Sequence, residues 1–327
     1  MKILVFGCGV IGSYLVHVLC EAGNDVTVVA RGQWRQVLDE KGLYIHHKLQ
    51  RKDTVNHPRV ISEVDESTLY DLVFSVMQGQ QQKRLFPELL RVNAPIAVLV
   101  GNNLEAEAFE SEYTRLTRAK RSLLFGFQGT AGLREADRVI CVRFGNGSLN
   151  VGGVHREATE KEKTVLARAF SGTSYQLKWT DDMMGWLYCH AAFILPIVYL
   201  SYACGCNLRK ASGRQIRDGL KAAEEGYGLI ARAGILIRPE GDEKTFESVP
   251  KMLMTRGLMH LIARTSVGEL AVTDHCRNAV DEMEWLDTCF ERLHGAFSDF
   301  QMPTWEALRK AMPAWEEIHM TYDRQRK

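Results

Sequence analysis

The sequence predicts an α/β fold: a doubly wound, mostly parallel sheet in the N-terminal part, followed by an all-helical C-terminal domain. Three observations carry this. Short β-rich runs alternate with helical stretches of about a dozen residues through the first half, the pattern of βαβ units. Runs such as "AVLV" at 97–100 are apolar at consecutive positions, as in strands covered on both faces. Beyond about residue 180 the β signal fades and a 3.6-residue periodicity takes over.

In order, "KILVF" at 2–6 reads as a strand, 10–22 as a helix and "DVTVVA" at 25–30 as a second strand. "DLVFSV" at 71–76, a helix near 80–91 and "PIAVLVG" at 95–101 continue the series. Between 121 and 152, "RSLLFGF", "RVICVRF" and "SLNVGG" are strand-like runs expected to extend the same sheet with antiparallel strands. Helices are expected over 182–204, 211–234, 247–266, 272–296 and 304–322. The domain boundary is set at 178/179.

The chain has 327 residues, 46% of them hydrophobic, enough for one large or two medium domains. Its 41 basic and 40 acidic residues leave a net charge of +1, which argues against a nucleic-acid partner. The eight cysteines sit mostly inside apolar runs and lack the spacing of a disulfide framework or a zinc site, so no metal is expected. Lys2 precedes only four apolar residues before Gly7, too short for a signal-peptide core. The apolar run "CHAAFILPIVYLSYACGC" carries His190 and Pro196 and reads as a buried helix rather than a membrane span. A soluble, cytoplasmic protein without a membrane partner is expected.

The run Gly7-Cys8-Gly9-Val10-Ile11-Gly12 is weak as a bare motif, but here it follows a strand and opens a helix within a βαβ unit. Gly7 permits the tight turn, Gly9 the approach of a pyrophosphate and Gly12 the packing of helix on strand. The helix N-terminus, with Val10 and Ile11, offers amides and a positive dipole. The second strand ends "VVARG". NAD sites place an acid there for the ribose 2′-hydroxyl; this chain has Arg31, 24 positions after Gly7, with Arg35 one turn on. A guanidinium suits a 2′-phosphate, so NADP(H) is expected.

The glycine loop, "VVARG", "DLVFSV", "VLVGNN" and the helical C-terminal half together resemble the ketopantoate reductase (2-dehydropantoate 2-reductase) family over nearly the whole chain. "ARGQWRQVLDEKGLYI" looks like that family's Arg-Gly helix start and Gly-Leu-x-Ile strand, and "FSDFQMPTWEALRKAM" like its closing segment. The resemblance implies a Rossmann-type NADP-binding domain at 1–178, a helical substrate and dimerisation domain at 179–327, and a homodimer. It further implies NADPH-dependent reduction of a 2-oxo acid to a 2-hydroxy acid. Asn102 falls where the family keeps an asparagine near nicotinamide and substrate, and Gln78 where it commonly has a lysine.

The departures concern catalysis. The family's active-site helix carries a lysine acid, then asparagines four and eight residues later on one face. In "DDMMGWLYCHAAFILPIV" one register puts Trp186, His190 and Ile194 at those positions, and another Leu187, Ala191 and Leu195. No lysine occurs from 179 to 209. The family's late-helix glutamate maps onto Asn278 or Ala279, leaving its role vacant or passed to Asp281. His190 is the candidate proton donor, since imidazole titrates in range, with a buried structural histidine as the alternative. Trp186 suits a larger or less charged substrate, and His275 and Asp281 are candidates on the late helix. The expected ligand is a small carbonyl or hydroxy-acid compound. Two other readings stay open: a ketopantoate reductase proper with a substituted acid, and an NADP-binding sensor or partner module without turnover. His46-His47 reads as a hairpin-edge pair.

Overall fold

Five-residue apolar runs build the central sheet. The computed structural model describes residues 1–118 and 120–322. Its strands are β1 (Lys2–Phe6), β2 (Asp25–Val29), β3 (Leu43–His47), β4 (Lys52–Asn56), β5 (Arg59–Ile61), β6 (Leu72–Val76), β7 (Ile96–Val100), β8 (Ser122–Gln128), β9 (Thr130–Arg134), β10 (Val139–Arg143), β11 (Ser148–Gly152) and β12 (Gln176–Trp179). The helices among them are α1 (Val10–Glu21), α2 (Gly32–Lys41), α3 (Gly79–Arg91), α4 (Ala106–Thr117) and α5 (Glu160–Ala169). Eight strands form one sheet in the order β12-β11-β8-β7-β6-β1-β2-β5. β5, β2, β1, β6, β7 and β8 are parallel, and every residue of β6 and β7 is buried, as their continuous apolar runs require.

The segment 121–152 departs from expectation. β8 joins the sheet in parallel and only β11 pairs with it antiparallel. β9 and β10 leave it to form a second sheet, β4-β3-β10-β9. These strands cover one face only: β3 buries Leu43, Ile45 and His47 at alternate positions, and α1 packs on β3, β9 and β10. Gly132 lets β9 pair closely with β10, because a Cβ there would lie 1.9 Å from the Ile140 carbonyl oxygen.

The chain divides into two compact units, Met1–Met184 and Gly185–Lys327. The second is helical. The remaining helices are α6 (Met183–Ala203), α7 (Gly213–Arg232), α8 (Lys244–Glu247), α9 (Val249–Ala263), α10 (Ser266–Gly268), α11 (Asp274–Asn278), α12 (Val280–Ala296), α13 (Pro303–Ala311) and α14 (Trp315–Tyr322). A π-helical turn, Glu269–Thr273, leads into α11. The helix expected over 272–296 is broken at Ala279 (φ −133°, ψ 40°). The one expected over 304–322 stops at Met312, which precedes Pro313 and is extended (φ −80°, ψ 158°). Among the described residues α6 alone is long and apolar enough to cross a membrane, and 67% of its most apolar window is buried inside the protein.

Between α1 and the second sheet lies a buried polar cluster. His47 bonds Thr54 Oγ1 (2.8 Å) and its ring centre stands 5.1 Å from that of His17. The buried Arg143 guanidinium covers the Tyr14 ring at 4.6 Å. Burial pushes His47 down to about 4, helped by the His17 and Arg143 charges. An unfolded histidine titrates near 6.5, so between about pH 6.5 and 4 the unfolded state binds the extra proton and native stability falls. His47 is expected to cost about 2–3 kcal/mol over that window. Urea unfolding of His47→Gln at pH 7 and 4.5 checks this: the variant should lose less stability than the parent, and an equal loss rejects the assignment.

Candidate functional site

The glycine loop joins β1 to α1 at the carboxyl edge of the parallel strands. Gly7 has φ +87°, and a Cβ on it would lie 2.3 Å from the Val76 carbonyl oxygen of β6. At Gly12 a Cβ would lie 2.0 Å from the Gly7 carbonyl oxygen. Both glycines are demanded by the chain's own packing. Gly9 differs. Its backbone is extended (φ −78°, ψ −159°), any residue could adopt it, and a Cβ there would meet nothing within 4 Å. Gly9 is also the N-cap of α1 and provides no side-chain cap, so the first-turn amides, Val10 and Ile11 included, have no capping side chain. Gln128 fixes this turn, donating to the Ile11 carbonyl (2.9 Å) while accepting from Tyr175 (2.7 Å).

The loops after β6 and β7 meet the same edge. A Cβ on Gly101 (φ +145°) would lie 2.4 Å from the Met77 carbonyl oxygen. Buried Gln82 ties the two loops, donating to the Met77 oxygen (3.2 Å) and accepting from Asn103 (3.0 Å). Gln78 holds the N-cap position of α3 without a side-chain cap, and its side-chain oxygen accepts from the Gln80 (2.8 Å) and Gln81 (3.1 Å) side-chain amides. Asn102 is 93% buried beside Gly101. The switch point, where β1 has β2 on one side and β6 on the other, therefore gathers Gly7, Gly9, Val10, Ile11, Gly12, Gln78 and Asn102. Arg31 follows β2 as the N-cap residue of α2. It lines a cleft of about 480 Å³ with Gly7, Cys8, Trp34, Glu88 and Arg134, and bonds Glu88 Oε1 at 2.8 Å.

In the helical unit, Trp186, His190 and Ile194 lie on a partly accessible face of α6, whereas Leu187, Ala191 and Leu195 are buried. Only the first register leaves its side chains partly accessible. His190 stacks on Trp186, ring centres 5.2 Å apart and planes 17° apart. Burial pushes its imidazole down to about 4, with the Glu282 carboxylate opposing and the His275 charge assisting. This setting disfavours the charged ring, as the buried structural histidine of the sequence reading would require. The carboxylate of this cluster is Glu282, 96% buried, with Oε2 3.3 Å from His275 Nε2. Burial opposes charge on His275, but Glu282 outweighs it and the imidazole titrates above its ordinary value. Asp281 turns the other way: 60% exposed, it stands 3.7 Å from His319 of α14. The structure does not bring it to His190. No group of three or more metal-ligating side chains occurs among the described residues.

Residues 3–155 match the family model described as ketopantoate reductase PanE/ApbA. The match covers just under half of the chain, which is similar to that family there. Among solved structures, the ketopantoate reductase of the PanE/ApbA family from Ralstonia eutropha JMP134 is 17% identical over 100% of both chains, with a TM-score of 0.72. A D-mandelate dehydrogenase, solved with NADH and anilino(oxo)acetate, is 15% identical over 99% of both chains, with a TM-score of 0.73. The 2-dehydropantoate 2-reductase from Methylococcus capsulatus is 16% identical over 100% of this chain and 98% of its own, with a TM-score of 0.66. At these identities the likeness establishes the fold. No match is found among curated proteins.

Within the N-terminal unit the sequence reading missed Trp34, Glu88, Gln128 and Arg134. Trp34 lies one turn after Arg31 and was legible as a cleft residue. Glu88 and Arg134 come from α3 and from the second sheet, whose placement no local pattern encodes. In the helical unit, His275 and Glu282 are seven residues apart, which in a regular helix separates them by roughly 10 Å. The break at Ala279 brings them within 3.3 Å.

Proposed function

We propose that the chain is an NAD(P)H-dependent oxidoreductase, with NADPH the preferred carrier, that reduces a 2-oxo acid or related carbonyl compound to the hydroxy compound. The observation that carries this is Gly9, a glycine for which the fold has no need, set before uncapped helix amides at the sheet's switch point. A dinucleotide phosphate explains it. Gly7, Gly9 and Gly12 with the amides of Val10 and Ile11 would hold the pyrophosphate, Arg31 the 2′-phosphate, and Gln78 and Asn102 the nicotinamide side. The bound carrier supplies a hydride equivalent.

Reduction of a carbonyl also needs a proton on oxygen, and the family's lysine is missing. We assign that proton to His275. Nε2–H donates to Glu282, which favours the charged ring, and the 40% exposed side chain can be recharged from solvent. Neutral His190, stacked on Trp186, orients the substrate and presents it an aromatic wall. The solved relative with anilino(oxo)acetate supports an aromatic 2-oxo compound as substrate.

NADPH oxidation over ketopantoate, phenylglyoxylate and aliphatic 2-oxo acids tests the proposal. Turnover of an aromatic member supports it, and turnover of ketopantoate alone favours the ketopantoate reductase proper. Tight NADPH binding with no oxidation would leave the sensor reading and overturn the enzyme. Glu282→Gln should lower kcat about 100-fold with little change in NADPH affinity. It should also move the alkaline limb of the rate profile to lower pH, because His275 loses the carboxylate that raises it. An unmoved limb removes His275 as the donor.

A further inference from the structure

The dinucleotide reading leaves Glu88, Arg134 and Glu135 of the cleft without a role. Arg31, the cation expected to take a 2′-phosphate, already has its guanidinium bonded to Glu88 of α3 (2.8 Å). A new anion at Arg31 must compete with that carboxylate. Arg134, at the end of β9, stands over the Trp34 ring at 5.3 Å, and its charge acts on the Cys8 thiol between Gly7 and Gly9. Among the described residues Arg134 makes no ion pair, and its neighbour Glu135 is bonded to Arg138 (2.5 Å). A guanidinium stacked on an indole is held in place through its face, so its edge, which carries the donors, stays available. Of the two cleft arginines, the unpaired one thus stands by the glycine loop, and the one nearest the end of β2 is neutralised.

We propose that Arg134 is a phosphate-binding residue of the dinucleotide site, acting on the pyrophosphate common to both carriers, and that Glu88 sets the choice between them. With the Arg31–Glu88 pair intact, the Glu88 carboxylate accepts a ribose 2′-hydroxyl, the role an acid at the end of β2 plays in NAD sites. A 2′-phosphate instead displaces Glu88 and takes Arg31 in a bidentate contact. The site accepts both carriers, and Glu88 moderates the preference for NADP(H). This inference rests on the dinucleotide reading of the cleft.

Calorimetric titration of NADPH and NADH into the intact protein tests it without reference to turnover, with melting curves as a control on folding. Glu88→Gln should tighten NADPH about tenfold and weaken NADH, changing the ratio of affinities. Arg134→Ala should weaken both carriers by a similar factor, about tenfold or more, and Arg134→Lys should recover part of the loss. An unchanged ratio in Glu88→Gln, or both affinities unchanged in Arg134→Ala, overturns the proposal while leaving the cleft a dinucleotide site. Failure of the parent protein to bind either carrier would instead overturn the reading beneath it.

Discussion

Gly9→Val is expected to leave the free protein folded and to abolish dinucleotide binding. The backbone there is extended and nothing crowds the added side chain, so the cost to folding is that of a poorer N-cap, about 1 kcal/mol. Calorimetry should show NADPH affinity reduced at least about 100-fold, because a branched side chain fills the approach to the α1 amides. Gly12→Val is the control: its Cβ would lie 2.0 Å from the Gly7 carbonyl oxygen, so the fold itself should fail. Binding by Gly9→Val within a few-fold of the parent removes the cradle.

Asp287→Ala is expected to cost about 3–5 kcal/mol of stability in the helical unit. Asp287 is 99% buried and accepts from Arg309 Nε (2.8 Å) and Nη2 (2.9 Å), Tyr199 (2.7 Å) and Trp315 Nε1 (2.9 Å). Truncation leaves the Tyr199 phenol and the Trp315 N–H without this acceptor, takes the bidentate partner from Arg309, and removes the carboxylate that joins α6, α12, α13 and α14. Denaturant unfolding monitored by tryptophan fluorescence reads the loss, and a change below about 1 kcal/mol would show that the hub does not hold these helices.

How much was legible beforehand follows from the range of the forces involved. β1, α1 and β2, and the glycines between them, were readable because each is dictated by neighbours in the chain: an apolar run, a helical period, a turn that only glycine permits. Arg31 was readable by its spacing from Gly7. β9 and β10 carry strand patterns too, but a pattern does not say which sheet a strand joins, and they joined the second. Asp281 and Glu282 show the same limit at finer scale. Both are acids at the start of α12, adjacent residues on a helix point about 100° apart, and only the break at Ala279 decides that Glu282 meets His275 while Asp281 meets His319.

The sequence by itself determined the α/β class, the helical second half and the glycine loop between β1 and α1, because periodicity and turn chemistry act over a few residues. Tertiary structure alone decided the rest. It set Glu88 against Arg31, brought Arg134 over Trp34, made His190 neutral by burial and gave His275 its carboxylate. Charge pairing and desolvation depend on distances through space, and residues far apart in the chain acquire those distances only when it folds.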